Sequence, residues 1–256
     1  MTKLSKAQLK AHRAAEALLD KDRLTLDDQW FVFENWHEGS VNDITAAGAF
    51  FTPLDMALDF AFDAPGARIV DLCAGIGVLA FAVAHRRRYY GTLPEITCIE
   101  VNPAYVAVGK KLLPEAQWIN ANLDDVWRGL PPFDCAIANP PFGRTAGAAL
   151  QSPIYSGPEF EYKVIDIAAH MAGYGVFIIP QGSASFRYSG VQCYDRTEPE
   201  KWARFFAETG VDMEAGVGVD TTYHRDGRKT PAPLTEIVTC DFETAIAKRQ
   251  RDLFAA

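Results

Sequence analysis

The sequence predicts an α/β domain in which a mostly parallel, seven-stranded sheet carries helices on both faces and an antiparallel strand at one edge. From residue 67 onward, short apolar runs alternate with segments whose apolar residues recur at helical spacing. The apolar runs are nearly continuous, as is typical of parallel strands that are buried on both faces. The last two runs, 212–224 and 233–242, are joined by a polar loop and indicate the antiparallel edge.

The predicted strands and helices follow each other along the chain. Strands are expected at residues 67–75, 96–101, 116–123, 133–141, 175–180, 212–224 and 233–242. Helices are expected at residues 77–88, 103–113, 160–172 and 199–210, the last of them ended by Gly210. In open sheets of this kind, ligands bind beyond the carboxyl ends of the strands, so these ends are the expected location of a functional site.

Residues 1–45 are predicted to form a helical N-terminal arm, and residues 46–256 a single domain. Apolar residues recur at helical spacing over residues 3–20, and a second helix is expected over residues 26–39, with Thr25 or Asp27 near its N-cap. Large aromatic side chains mostly serve burial, and four of them are expected to pack the second helix onto the main domain. They are Trp30, Phe31, Phe33 and Trp36.

The composition limits the classes of function. The chain has 25 basic and 33 acidic residues and a formal net charge of −8, which argues against nucleic-acid binding over the whole surface but leaves room for a local basic patch. Its five cysteines are scattered and form no CxxC pair, so neither a metal site nor a disulfide framework is expected. The sequence has no signal peptide and no apolar span, and a cytoplasmic protein without membrane contact is expected.

A glycine-containing loop follows the first predicted strand. The segment VDLCAGIGVLA places Asp71 at the end of the strand and Gly75 and Gly77 in the turn, where the absence of a side chain lets a ligand approach the backbone. With Ala80, the two glycines also fit the dinucleotide pattern G-x-G-x-x-G/A, so a hydride-transfer enzyme is a competing interpretation. Glu100, at the end of the next strand, can bind both ribose hydroxyls in either case.

The residues around the loop separate these two interpretations. A carboxylate at Asp71 would repel the pyrophosphate of a dinucleotide, but it would attract a sulfonium cofactor that also carries an amino group. The loop therefore favours S-adenosylmethionine. Asn122 or Asp124, at the end of the third strand, is then expected to hydrogen-bond the adenine of the cofactor. Capping of a helix that begins at this point is the alternative role for both.

The segment IANPPF, at the end of the fourth predicted strand, can hold an amine on a planar ring. The lone pair of such a nitrogen is delocalised into the ring, and two acceptors that bind its hydrogens favour the geometry needed for attack. The side-chain oxygen of Asn139 and the carbonyl oxygen of Pro140 can serve as these acceptors. Pro140 and Pro141 restrict the loop, and Phe142 can stack on the ring. An ordinary turn that ends a strand is the alternative.

These motifs resemble those of the class I S-adenosylmethionine-dependent methyltransferases that act on planar amino groups, above all the N6-adenine DNA methyltransferases. The segments that carry the resemblance are FFTP (50–53), DLCAGIG (71–77) and NPPF (139–142). Their order resembles the gamma arrangement of these enzymes, and the resemblance covers roughly residues 45–180. It implies a Rossmann-like class I methyltransferase fold and methyl transfer to N6 of adenine in DNA.

The resemblance also implies which residues serve the reaction. The NPPF motif would be catalytic, and the FFTP segment would line the cofactor pocket, with Thr52 bonding the amino-acid end of the cofactor. Alternatively, Thr52 caps a helix whose first residue is Pro53. The expected cofactor-binding residues are Phe51, Thr52, Pro53, Asp71, Cys73, Ala74, Gly75, Gly77, Glu100, Val101, Asn122, Leu123 and Asn139.

The substrate adenine would have to be flipped out of a duplex or unpaired before it reached such a pocket. Arg144, Arg225, Arg228 and Lys229 are expected to contact the nucleic acid, whereas the arginines at 86–88 are expected to form a solvated helix end that the helix dipole favours. The DNA enzymes commonly carry a large target-recognition domain, and no comparable block follows residue 180. A short or relaxed recognition sequence is therefore expected.

Three alternative functions follow from the same motifs. An RNA N6-adenine methyltransferase would share all of them. A protein glutamine methyltransferase is the second alternative, although such enzymes usually carry tyrosine in place of Phe142. The chain also departs from the DNA enzymes at Asn122, where they frequently have an acidic residue. A nucleic-acid-binding protein of the same fold without activity is the third alternative, and the intact NPPF motif argues against it. The sequence does not predict the oligomeric state.

Overall fold

A six-stranded sheet forms the centre of the computed structural model, which describes residues 5–37, 51–143, 150–224 and 233–245. The described strands are β1 (Arg68–Asp71), β2 (Glu95–Glu100), β3 (Gln117–Asn120), β4 (Phe133–Ala138), β5 (Ala172–Pro180), β6 (Phe186–Arg187), β7 (Asp195–Arg196) and β8 (Thr235–Asp241). The sheet has the order β3-β2-β1-β4-β5-β8, and β8 runs antiparallel to β5 while the other neighbours are parallel. β6 and β7 form a separate ribbon. The predicted α/β architecture with an antiparallel edge is confirmed.

Helices lie between the strands as the periodicity predicts. The described α-helices are α1 (Lys6–Leu19), α2 (Leu26–Asn35), α3 (Leu54–Phe60), α4 (Val78–Tyr89), α5 (Pro103–Leu112), α6 (Leu123–Val126), α7 (Phe160–Ala168) and α8 (Glu200–Thr209). None of these helices is both long and apolar enough to cross a membrane.

Side chains of the central strands alternate between two apolar clusters, one on each face of the sheet. In β4, Cys135 and Ile137 belong to the cluster that contains residues of α2, α3 and α4, whereas Ala136 and Ala138 belong to the cluster that contains residues of α7 and α8. Successive side chains of a strand point to opposite faces, and both faces of this strand are therefore covered by helices. The nearly continuous apolar runs in the sequence have this origin.

The N-terminal helices pack on the same cluster as α3 and α4. Each of these helices begins with a capping box, and the N-cap of α2 is Thr25, one of the two predicted residues. Phe33 of α2 packs against Phe81 of α4, with ring centroids 4.6 Å apart, as the aromatic content of this segment predicts. α2 ends earlier than predicted because Trp36 adopts an extended conformation with ψ 125°. The predicted boundary at residue 45 lies outside the described residues and stays a prediction.

Residues 212–224 do not form the predicted seventh strand. Within the described part of this segment, Glu214 alone pairs with the sheet, through an isolated antiparallel bridge to Thr239 of β8. Gly216 then takes a left-handed backbone conformation with φ 57°, which ends the extended run. The backbone N–H of Val217 donates to the carboxylate of Asp63 at 2.9 Å. This hydrogen bond ties the segment to the chain beyond α3, and the sheet has six strands for this reason.

Gly216→Ala is expected to lower the free energy of unfolding by about 2–3 kcal/mol, because a Cβ at this position carries the cost of positive φ and displaces the Asp63 carboxylate. That Cβ would lie 2.5 Å from a carboxylate oxygen of Asp63. Gly91→Ala is the matched control, since Gly91 has φ 75° and no described atom lies within 4 Å of the position that its Cβ would take. The control is expected to lose only about 1 kcal/mol in urea unfolding. Equal losses in the two variants would contradict the proposed role of Asp63.

Candidate active site

A cavity of about 370 Å³ opens at the carboxyl ends of β1, β2 and β4. Its volume lies within the range of about 300–1,000 Å³ that is usual for small-ligand pockets. The predicted site residues that line it are Phe51, Thr52, Cys73, Ala74, Gly75, Glu100, Val101, Asn122, Leu123, Asn139 and Pro141. The predicted residues that do not line it are Pro53, Asp71, Gly77, Pro140 and Phe142. The structure thus brings the glycine loop, the acidic strand end and part of the NPPF motif together.

The glycine loop turns sharply between β1 and α4. Gly75 and Gly77 both adopt left-handed conformations, with φ 55° and 89°, which other residues rarely take. Gly77 is the N-cap of α4, and a Cβ there would lie 3.0 Å from the ring of Trp118. Gly77 is therefore required for the turn and for close packing, while Gly75 faces the cavity. The two glycines of the motif thus meet different requirements, Gly77 for the turn and its packing and Gly75 for the wall of the cavity.

Glu100 connects the glycine loop to the turn before α5. One carboxylate oxygen accepts the backbone N–H of Gly75 at 2.9 Å, and the other accepts that of Asn102 at 2.8 Å. Burial raises the pKa of the Glu100 carboxyl above its ordinary value, although these backbone N–H groups oppose the rise. Each oxygen of a carboxylate can accept a second hydrogen bond. Glu100 can therefore hold the loop and still accept hydroxyl groups of a ribose in the cavity.

Asp71, at the end of β1, does not line the cavity, and its expected role toward the cofactor stays a prediction. Its side chain is only 1% exposed, and neither carboxylate oxygen has a hydrogen-bond partner among the described residues. Burial raises the pKa of the Asp71 carboxyl from 3.8 to about 7, and the nearby charge of Glu100 adds to the rise. The backbone N–H groups of Cys73 and Ala80 oppose it without reaching normal hydrogen-bond geometry.

Asn122 caps a helix and also lines the cavity. Its side-chain oxygen accepts the backbone N–H of Asp124 at 3.2 Å and so caps α6. Asn122 and Leu123 also line the cavity, whereas Asp124 does not. Of the two candidates for the adenine contact, the structure therefore leaves Asn122 in position. The apolar side chains of Ile99 and Leu123 provide flat, uncharged walls in the same part of the cavity.

A hydrogen bond joins the NPPF motif to the FFTP segment. The Asn139 side-chain nitrogen donates to the hydroxyl oxygen of Thr52 at 2.9 Å, across 87 residues of sequence. Thr52 does not cap α3, because Pro53 occupies the N-cap position and makes no side-chain hydrogen bond. The alternative in which Thr52 serves as a helix cap is therefore wrong. Because Thr52 binds the amide nitrogen, it orients the Asn139 amide at the edge of the cavity.

The rest of the NPPF motif is supported from behind. Pro140 is buried, and Phe142 is half-buried against the same apolar cluster as Phe51. Gly143, which follows the motif, donates its backbone N–H to the carboxylate of Glu161 at 2.7 Å. Its carbonyl oxygen accepts the backbone N–H of Phe160 at 2.9 Å. The start of α7 thus fixes the end of the NPPF loop.

Glu161 is a positioning residue that sequence reasoning missed. It is completely buried, and its second carboxylate oxygen accepts the hydroxyl of Ser183 at 2.7 Å. Lys201 in turn donates to the Ser183 hydroxyl at 2.7 Å. A buried carboxylate is stable only when it is fully hydrogen-bonded. The sequence signal for Glu161 is an acidic residue among the apolar residues of α7. Its hydrogen-bond partners cannot be read from that signal, because they lie in distant segments.

Aromatic side chains close another wall of the cavity. Tyr105, in the first turn of α5, packs edge to face against Phe51, with ring centroids 5.5 Å apart. On its other side it meets Trp36 of the N-terminal arm at 6.0 Å. Tyr105 and Phe160 line the cavity but were not predicted. Tyr105 stands three residues after Asn102, the N-cap of α5, which lies beside Glu100. This position in the sequence could have indicated that Tyr105 lines the cavity.

The predicted nucleic-acid contacts cannot be placed. Arg144, Arg225, Arg228 and Lys229 all lie outside the described residues, and their roles stay predictions. Over the described ranges, no group of three or more His, Cys, Asp or Glu side chains is arranged to hold a metal ion.

Comparisons with known proteins agree with this geometry. Residues 55–154 match the family model described as methyltransferase small domain. A methyltransferase subunit of a type I restriction-modification system from Streptococcus thermophilus aligns with a TM-score of 0.51 and 16% identity, over 83% of this chain and 49% of that one. A modification subunit assigned to a type I restriction enzyme of Vibrio vulnificus aligns with a TM-score of 0.53 and 14% identity, over 86% and 50%. This chain thus spans about half the length of either subunit. The search of curated proteins gave no match.

The chain has a class I methyltransferase fold. The family match within this fold supports an S-adenosylmethionine-dependent methyltransferase, with S-adenosylmethionine as the cofactor. The methyltransferase cavity contains groups that fit this molecule: Glu100 for the ribose, and Leu123 beside Asn122 for the adenine. The hydride-transfer alternative gains no support from these findings.

The free energy of unfolding is expected to fall by about 2 kcal/mol between pH 5 and pH 7 on account of Asp71 alone. The folded chain keeps this proton up to about pH 7, whereas an unfolded aspartate releases it near 3.8. The folded state therefore binds more protons within this window, and its stability decreases as the pH rises. In Asp71→Asn this part of the decrease should be absent when urea unfolding is measured from pH 5 to pH 8.

Asp134→Asn is the matched control for this measurement. The backbone N–H groups of Arg68 and Ala67 lower the pKa of the Asp134 carboxyl, so its contribution is lost only in more acidic solution. The control is expected to follow the wild-type profile above pH 5. Parallel profiles for wild type and Asp71→Asn would show that Asp71 does not hold a proton in the folded chain.

Proposed function

We propose that this chain transfers a methyl group from S-adenosylmethionine to N6 of adenine in DNA, at a short or relaxed recognition sequence. The observation that carries the proposal is the position of the NPPF motif. Asn139 and Pro141 line the same cavity as Gly75 and Glu100. A base held by the motif would therefore lie beside the cofactor, and the nitrogen to be methylated would be at the site where the cofactor supplies an electrophilic methyl group.

Two acceptors in the motif would bind the amino group of the substrate. The amide nitrogen of Asn139 donates to Thr52, and this orientation supports the side-chain oxygen of Asn139 as the proposed acceptor for the substrate. Among the described residues, no backbone donor forms a hydrogen bond to the carbonyl oxygen of Pro140. Two fixed acceptors would draw the amino hydrogens out of the ring plane and return lone-pair density to the nitrogen. Attack then needs no base, because the proton becomes acidic once the nitrogen carries the methyl group.

The loop would keep this geometry because its surroundings are rigid. Pro140 and Pro141 restrict the backbone, and Glu161 holds Gly143 at the end of the motif. Phe142 packs against an apolar cluster and does not line the cavity, and it is proposed to stack on the adenine after a movement of its side chain. Positioning within a fraction of an ångström is what such a reaction requires from a protein. Arg144, Arg225, Arg228 and Lys229 are proposed to hold the phosphates.

Asn139→Ala is expected to lower methyl transfer at least about 100-fold, because one of the two acceptors for the substrate amine is lost. The measurement is incorporation of label from S-adenosylmethionine into unmethylated DNA, followed by mapping of the modified base. Calorimetry should show that the variant still binds the cofactor. Asn35→Ala is the control, because it removes an exposed amide that bonds only within α2.

The same assay separates the alternatives. Structured RNA that competes with DNA and becomes methylated would assign the activity to RNA. Wild-type protein that binds the cofactor but labels neither nucleic acid would contradict the proposal, and mapped sites that share a long sequence would contradict the relaxed specificity.

Thr52→Val is expected to lower kcat about tenfold, since the Asn139 amide loses the hydrogen-bond acceptor that orients it. Thr52→Ser keeps the hydroxyl group and should retain most of the wild-type rate. Because Thr52 also lines the cofactor cavity, the affinity for S-adenosylmethionine must be measured for both variants. A wild-type kcat in Thr52→Val, together with a loss in Thr52→Ser, would show that the methyl group of Thr52, and not its hydrogen bond, is what matters.

A further inference from the structure

A second, larger cleft lies on the side of the domain where the parallel strands begin, opposite to the cofactor cavity. It has a volume of about 790 Å³ and is bordered by the turn after α1 and by the C-terminal ends of α4 and α5. α4 begins at the glycine loop and spans 12 residues, so its far end is about 18 Å from the cavity. A ligand in the cleft would therefore not contact the catalytic residues.

The cleft is basic although the chain as a whole is acidic. Arg23, Arg88, Lys110 and Lys111 line it, against the acidic side chains of Asp22 and Glu115. Arg88 forms an ion pair with Glu115, while Lys111 donates to the carbonyl oxygen of Lys21 at 3.0 Å and keeps its charge uncompensated.

Two of these cations form neither an ion pair nor a side-chain hydrogen bond with any residue that the structure describes. Arg23 and Lys110 are exposed and form no ion pair with any residue that the structure describes. The dipole of a helix favours a cation in the last turn of that helix. This effect explains the presence of Lys110 at the end of α5 without any ligand. It does not account for Arg23, which comes from a different element and lines the same cleft.

Exposed aromatic rings stand beside these charges. Tyr89 lines the cleft and is 85% exposed, and Tyr90 next to it is 63% exposed. The two rings pack edge to face at 5.3 Å, and the guanidinium of Arg86 lies 5.5 Å from the ring of Tyr90. Tyrosine side chains at such exposure contribute nothing to the core. Aromatic rings interleaved with cations are the combination that binds single-stranded nucleic acids, by stacking on bases and by contact with phosphates.

We propose that this cleft is a second binding site for single-stranded nucleic acid, in which Arg23 and Lys110 contact phosphates and Tyr89 stacks on a base. The inference rests on the proposed function only for the choice of a nucleic acid as the partner. It assigns a role to the arginine-rich end of α4 that differs from the solvated helix end expected from the sequence. The substrate strand, or a second strand, would be held on the face of the protein that lies away from the catalytic loop.

The test is binding of a fluorescein-labelled 20-mer of thymidylate, and of the corresponding uridylate, to the full chain. These strands contain no adenine, so a catalytic pocket that takes adenine does not contribute base-specific binding. Fluorescence anisotropy at 50, 100 and 200 mM salt gives the affinity and its salt dependence. The double variant Arg23→Gln/Lys110→Gln should bind at least about fivefold more weakly at 100 mM salt. Its slope of log K against log salt should be smaller by about 1.4, because two phosphate contacts are lost.

Two further variants separate charge from stacking. Lys6→Gln/Lys10→Gln removes the same charge from exposed positions of α1 that do not line the cleft, and should leave the affinity and the slope unchanged. Tyr89→Ala should weaken binding at least about fivefold without changing the slope, since a stacked base carries no counterion effect. An affinity and a slope equal to wild type in Arg23→Gln/Lys110→Gln would overturn the proposal. Displacement of the strand by an equal concentration of thymidine monophosphate would also overturn it, because it would indicate a site for a small phosphate.

Failure of this inference can be distinguished from failure of the proposed function. Methyl transfer by wild type that Asn139→Ala abolishes, together with unchanged strand binding in the cleft variants, would remove the cleft proposal alone. Strand binding that depends on Arg23, Lys110 and Tyr89, together with no methyl transfer by wild type, would remove the proposed reaction and support the cleft.

Discussion

The parallel register of β1, β2 and β4 is the constraint on which the rest of this structure depends. Asp71, the last residue of β1, stands level with Cys98 of β2 and Ile137 of β4, so the three strands end within two residues of one another. The glycine loop, Glu100 and the NPPF motif leave the sheet at these ends and must therefore meet. A slip of one residue would turn every side chain of a strand to the other face and would separate these groups. The apolar clusters on both faces prevent such a slip.

Buried carboxylates hold the loops around this edge. Glu100 joins the glycine loop to α5, Glu161 joins the NPPF loop to α7, and Glu236 accepts backbone N–H groups of Tyr188 and Ser189. Among the described residues none of the three forms an ion pair, and their oxygens accept hydrogen bonds from neutral donors instead. Hydrogen bonds to a charged acceptor are strong in a medium of low dielectric constant. Asp71 has no hydrogen-bond partner among the described residues, and its burial raises the pKa of its carboxyl.

α4 and α5 connect the cavity at the glycine loop with the basic cleft. Both helices begin at the cofactor cavity and end at the basic cleft, because helices between parallel strands run opposite to them. The positive end of the α4 dipole lies beside the carboxylates of Asp71 and Glu100, and the negative ends of both helices lie beside the cations of the cleft. The polarity of the fold thus favours carboxylates at the glycine loop and basic residues at the far side. A chain with a net charge of −8 can in this way carry a local cationic surface.

The sequence by itself determined the local features: the apolar runs of the strands, the turn at Gly75 and Gly77, and the restricted segment after Asn139. Each follows from backbone preferences and from the alternation of side chains, which act over a few residues. Tertiary structure alone decided the bond between Thr52 and Asn139, the burial of Asp71, the support of the loop by Glu161 and the loss of the seventh strand. These depend on contacts between segments as far as 154 residues apart, as in the bond from Val217 to Asp63. Such contacts are selected by the packing of the whole domain, and no local pattern in the sequence specifies which partners will meet.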